Sequence, residues 1–108
     1  MIKYNKLIRD KIVEKIESTK GTAVYHRATD QEFEIKLKEK LIEEANELTG
    51  ANDIESIKNE LADVLKVTKE IMKLHAISEE EIKEIMQEKD EKAGGFDKRI
   101  ILEEASEY

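Results

Sequence analysis

Apolar residues recur along most of the chain at helical spacing, and that pattern divides it into four amphipathic stretches. Ile8, Ile12 and Ile16, with Val13 beside them, give a first helix from Leu7 to Thr19, stopped by Gly21. Phe33, Leu37, Leu41, Ala45 and Leu48 line one face of a second helix that ends near Thr49. Its entry at Thr29-Asp-Gln-Glu32 matches a capping box. Gly50 to Asp53 forms a short turn, with Asn52 or Asp53 capping the next helix. So short a connection makes the second and third helices antiparallel neighbours. The third runs from Ile54 to Leu74, and its apolar positions cover about half of the circumference. That is wider than one partner helix needs, so further helices, a second subunit or both should cover it. Ser78-Glu-Glu-Glu81 opens a fourth helix that continues to Ala93 and stops at Gly94 and Gly95. Thr22 to Ala28 lacks helical period and reads as an extended connector; Phe96 to Leu102 reads as a non-helical return, and 103–108 as a loose acidic tail.

This arrangement implies an all-α fold of four to five helices in one domain spanning 1–108, with the core completed by oligomerisation. Composition agrees: proline is absent, glycine occurs four times and 42% of residues are charged. The net charge of −7 argues against a nucleic acid polymer or an anionic membrane as partner, because neutralising phosphates requires clustered cations. Cysteine is absent, which removes disulfides, thiolate zinc sites and thiol nucleophiles. No apolar run approaches a membrane span and no signal-like stretch follows Met1, so a cytoplasmic location is expected.

Against this regular pattern, two places stand out. Glu44 falls near the centre of the second helix's apolar face, and Glu47 lies just off its edge, as does Lys40. On the third helix, counted from Ile54, Glu60 lies at about 240°, inside the apolar arc, and Asp63 at about 180°, at its margin. An ionised carboxylate turned into a core is costly unless it is paired or metal-bound. Antiparallel neighbours would bring the two pairs together, and four carboxylates in one place need a compensating charge. Their hard oxygen ligands suit Mg²⁺ or Mn²⁺, which points to metal-assisted hydrolysis of a phosphorylated substrate. Glu pairs at i, i+3 also arise by chance in a chain with 26 acidic residues, and Lys40 four positions before Glu44 offers a simple ion pair.

Glu43, Glu44 and Glu47, then Glu60 and Asp63, follow an order that resembles the MazG-like all-α nucleotide pyrophosphohydrolases, marked by a Glu-x-x-Glu helix followed by a Glu-x-x-Asp helix. Tyr4 to Ile12 and Lys89 through Gly94, Gly95 and Phe96 extend the resemblance, over roughly residues 4 to 102, to the small single-domain branch described as house-cleaning pyrophosphatases. Two positions depart from it: Val13 stands where that branch often has proline, and Ala93 where it often has arginine. A phosphate contact made by that arginine is then absent here or falls to Lys92 or Arg99. The resemblance implies Mg²⁺-dependent hydrolysis of a nucleoside triphosphate, non-standard or deoxy substrates included, to monophosphate and pyrophosphate. Glu44, Glu47, Glu60 and Asp63 would then be the metal ligands, and a metal-activated water, oriented by Glu43, the nucleophile. Arg9, Lys40 and Lys89 are the candidates for phosphate contacts, each also readable as an ordinary surface cation. A homodimer or homotetramer is expected. The alternatives are phosphoribosyl-ATP hydrolysis on a related fold and a non-enzymatic acidic helical interaction module. His26 and His75 fall in connectors, where surface or capping roles are expected, and Phe96 is placed to close the fourth helix.

Overall fold

A computed structural model describes residues 1–107 and is all-helical over that range, with four helices and no strand. The chain divides into two compact units, one covering Met1–Ala76 and a second beginning at Ile77. The first unit holds α1 (Ile12–Ser18), α2 (Asp30–Thr49) and α3 (Ile54–Leu74); the second holds α4 (Glu79–Ala93). No described helix is long and apolar enough to cross a membrane.

The first unit is built on the pairing of α2 with α3. Near the start of α2, Glu34 meets His75 just after α3, at 2.9 Å. Glu44 and Glu47, later on α2, lie beside Glu60 and Asp63 in the first half of α3. The two helices therefore run antiparallel, as their short connection requires. Asp53 caps α3, accepting from the backbone N–H of Ser56 at 2.8 Å and from its hydroxyl at 3.0 Å. Thr29 caps α2 by accepting from Glu32 N–H at 3.3 Å. The expected reciprocal bond from Glu32 is replaced by a contact with His26 at 2.9 Å, so this cap forms in one direction only. Leu37 and Val67 are the buried apolar side chains among the described residues. Ile54, Leu61 and Leu65, at i, i+7 and i+11, leave an exposed stripe on α3.

The first helix is shorter than its apolar period predicts. It begins at Ile12 rather than Leu7, and Lys11 at its N-cap makes no side-chain cap bond. Leu7 and Ile8 are half-buried outside the helix, lining a pocket with Phe33, Leu37 and Val67. Their apolar spacing serves docking of a non-helical segment, which periodicity alone reads as helix. At the other end, Lys20 takes the left-handed conformation (φ 63°), and Gly21 N–H reaches back to Ile16 carbonyl at 3.0 Å. Gly21 is needed there for space: a Cβ would stand 2.9 Å from Ile16 Cγ2.

In the second unit, Ser78 forms a complete capping box with Glu81, at 3.1 Å in one direction and 2.9 Å in the other. Gly94 ends α4 at φ 80°, which glycine adopts without strain. Residues 95–107 are non-helical and exposed. Phe96 is 96% exposed, so the expected packing of its ring against the end of α4 does not form. Of the anticipated acidic tail, 103–107 is exposed and irregular, and Tyr108 lies outside the described residues.

Candidate metal centre

Glu44 is 6% exposed and is the buried charged residue of the chain's described part. Its place follows from the apolar face of α2: packing Phe33, Leu37 and Leu41 toward α3 carries Glu44 inward with them. On α3, the same packing turns Glu60 and Asp63 toward α2, both half-buried. Glu47, one turn beyond Glu44, is exposed. One carboxylate oxygen from each of Glu44, Glu47, Glu60 and Asp63 lies within 4.8 Å of every other. All four residues singled out from sequence as ligands thus converge, and the group can hold a metal ion.

The electrostatics of the cluster are unfavourable as it stands. Burial pushes the Glu44 carboxyl above its ordinary value, helped by hydrogen bonding to Glu47 and by the charges of Glu47 and Asp63, against which Lys40 acts. Glu60 is shifted upward in the same order of causes, burial first and then Glu47 and Asp63. Glu44 Oε2 and Glu60 Oε2 are both buried without a hydrogen-bond partner. An unpaired buried carboxylate oxygen is expensive. A hard divalent cation, which accepts carboxylate oxygens and supplies the missing charge, fits this donor set.

Three cations stand around the carboxylates. Lys40, with its side chain only 19% exposed, lies 3.6 Å from Glu44 and 3.5 Å from Glu43. Arg9 donates to Asp63 at 3.0 Å. Lys6, which the sequence pattern did not single out, lies 3.5 Å from Glu43. Glu43 is half-buried and stands outside the four-residue group, between Lys6 and Lys40. Lys89, the third expected phosphate contact, is exposed on α4 in the second unit. A pocket of about 280 Å³ opens beside the cluster, sharing Glu44 and Asp63 with it and floored by Phe33, Leu37 and Val67.

The signal for Lys6 was present in the sequence. Lys6 and Arg9 flank Leu7 and Ile8, as polar residues flank apolar anchors on a docked segment, but a helical reading of that stretch concealed the relation. His26 and His75 sit where connectors were expected, each on a glutamate.

Compared with models of protein families, with curated proteins and with solved structures, the chain matches none.

Proposed function

We propose that this protein is a Mg²⁺-dependent nucleoside triphosphate pyrophosphohydrolase, releasing pyrophosphate and leaving a nucleoside monophosphate. The observation that carries the metal is Glu44: a buried carboxylate with an unpartnered oxygen, inside a four-carboxylate group whose members approach within 4.8 Å. Support for the reaction comes from the order of Glu44, Glu47, Glu60 and Asp63 and from the flanking motifs, which resemble the MazG-like pyrophosphohydrolases.

In this proposal Glu44, Glu47, Glu60 and Asp63 hold the ion, with Mn²⁺ an acceptable substitute for oxygen ligands. Bound Mg²⁺ supplies a more acidic water and neutralises charge on the phosphate oxygens. Glu43 is the residue proposed to orient that water and accept its proton. Lys40 holds Glu43 and Glu44 in place, at 3.5 and 3.6 Å, and presents a cation toward the phosphates. Arg9 is the other phosphate contact proposed within the first unit. Water adds to the α-phosphorus, the bond between that phosphorus and the α–β bridging oxygen breaks, and pyrophosphate leaves with that oxygen. A homodimer or homotetramer is proposed as the working form, and the exposed stripe of Ile54, Leu61 and Leu65 supports it.

Pyrophosphate release is the test. Purified protein with Mg²⁺ is offered a panel of ribo-, deoxy- and modified-base triphosphates together with phosphoribosyl-ATP. Release from one or more triphosphates, stopped by EDTA and by Asp63→Asn, is the expected result. Release from phosphoribosyl-ATP alone would move the protein to that reaction. No release from any member would overturn the enzymatic assignment in favour of an interaction module.

A further inference from the structure

The segment before α1 is anchored, and it carries its two cations to opposite sides of the carboxylate group. Lys36 Nζ donates to the Asn5 carbonyl at 2.8 Å, and Asn5 turns the chain there with φ 48°, a conformation asparagine tolerates. Ile12 N–H closes the other end on the Arg9 carbonyl at 3.1 Å. Between these ties Leu7 and Ile8 are half-buried against α2 and α3. Lys6 then meets Glu43 on α2 at 3.5 Å, and Arg9 meets Asp63 on α3 at 3.0 Å. Lys6 also lies over the Tyr4 ring, 5.8 Å from its centre.

The segment is tied at Asn5 and docked through Leu7 and Ile8, while its charged heads reach solvent. The side chains of Lys6 and Arg9 are 43% and 63% exposed. Ion pairs so exposed contribute about 0–1 kcal/mol, so changing partners costs little. Charge explains why a change is called for. Glu43, Glu44, Glu47, Glu60 and Asp63 outnumber Lys6, Arg9 and Lys40, the cations that pair with them, so the carboxylates favour a further cation. Asp63 meets Arg9 through one oxygen and has the other to offer a metal ion, but an ion held beside it would repel the guanidinium. Once an ion is bound, the guanidinium needs another anion, and its planar fork matches phosphate oxygens.

We propose that Lys6 and Arg9 form a phosphate-binding pair, resting on Glu43 and Asp63 while the group lacks a divalent cation and turning to phosphate oxygens when it holds one. This deepens the function proposed above and rests on its metal site; it adds Lys6 and the exchange of partners. The ligand class is a polyphosphate chain, since one cation comes from the α2 side of the group and the other from the α3 side. Metal and polyphosphate therefore bind with positive coupling, and the coupling is reciprocal.

The experiment measures inorganic pyrophosphate binding by calorimetry, with and without Mg²⁺, to the wild type, Arg9→Gln and Lys6→Gln, with Arg9→Lys as the conservative variant. Without Mg²⁺, wild type and Arg9→Gln should bind pyrophosphate equally, because Arg9 is engaged by Asp63. With Mg²⁺, Arg9→Gln should bind it about tenfold more weakly or worse, Lys6→Gln should show a smaller loss, and Arg9→Lys should recover part of the coupling. Equal losses with and without Mg²⁺ would mean that Arg9 always faces phosphate, and no loss would make it a bystander; either result overturns the exchange. Mg²⁺ binding to the wild type and Glu60→Gln separates the levels. If Mg²⁺ fails to bind the wild type, the metal site falls and the exchange with it. If Mg²⁺ binds the wild type, not Glu60→Gln, and Arg9→Gln behaves as wild type, only the exchange falls. Both cations are exposed, so their loss should leave the helical circular dichroism unchanged.

Discussion

Glu44 on α2 and Glu60 on α3 share one structural condition: each has a buried Oε2 without a hydrogen-bond partner, and both belong to the same four-carboxylate group. Two helices place this liability at the same point of their shared interface, where leucine or valine would pack at no electrostatic cost. A feature that weakens the fold and suits a cation so directly has consequences that stability measurements can detect.

The first concerns charge removal. Glu44→Gln preserves shape but takes one charge from the group, and should stabilise the metal-free protein at neutral pH. The expected rise in Tm is a few degrees, since 1 kcal/mol shifts a domain of this size by about 4–8 °C. The same variant should lose the further stabilisation that Mg²⁺ gives the wild type. Thermal melts with and without Mg²⁺ check both parts, and a lower Tm in the metal-free variant would mean that the charge is already satisfied.

Acidity should act in the same direction. Burial and the neighbouring acids raise the folded-state pKa values of Glu44 and Glu60 above the ordinary 4.5. Between 4.5 and those raised values the folded protein binds more protons than the unfolded chain, so metal-free stability falls as pH rises and then levels off. Glu34 acts oppositely: Lys38 first and His75 after it lower its pKa, so its contribution is present above 4.5 and disappears as pH falls through its folded-state value. Metal-free stability should therefore increase as pH falls through the raised values of Glu44 and Glu60 toward 4.5, and decline at lower pH as Glu34 and then Asp53, whose ordinary value is 3.8, protonate. Urea midpoints across that range give the profile, and Glu44→Gln with Glu60→Gln should flatten its neutral arm. Mg²⁺ affinity should fall on acidification, because protons compete for the same oxygens.

Catalysis should be more sensitive than folding. Asp63→Asn removes one proposed ligand while keeping the side chain's size, and should lower the rate of pyrophosphate release by about 100-fold or more, since outer contacts to metal ligands alone cost 10–100-fold. Its helical circular dichroism should match the wild type. Residual activity near the wild-type level would remove Asp63 from the ligand set.

Away from the site, Ser78→Ala removes the hydroxyl that accepts from Glu81 N–H at the start of α4 and leaves the reciprocal bond, donated by the backbone of residue 78 to the Glu81 carboxylate. The expected cost is about 1 kcal/mol, read as lower helicity and an earlier melt. Thr29→Ala, which removes a longer bond of 3.3 Å from Glu32 N–H, should cost less.

Why some of this was legible and some was not follows from particular residues. α2, α3 and α4 announce themselves because caps and period coincide: Thr29, Asp53 and Ser78 each precede an amphipathic run, although on α4 the apolar residues Ile85 and Met86 are exposed. Glu44 and Glu60 were visible for the converse reason, being acids at positions where the period demands apolar residues. The same periodicity misled at Leu7 and Ile8. Their spacing to Ile12 and Ile16 fits a helix, but a docked non-helical segment also buries apolar residues, and nothing local distinguishes the two. That one difference hid Lys6, since a residue assumed to precede a helix has no reason to approach Glu43. Glu32 shows the same limit: a capping glutamate and a partner for His26 look alike until the connector's path is known.

The most direct measurement is calorimetric titration of Mg²⁺ into the protein and into Glu60→Gln. A saturable binding isotherm for the wild type, lost or weakened at least about tenfold in Glu60→Gln while the fold persists, is the expected result. Equal binding by the two proteins, or none by either, would contradict a metal centre built from Glu44, Glu47, Glu60 and Asp63.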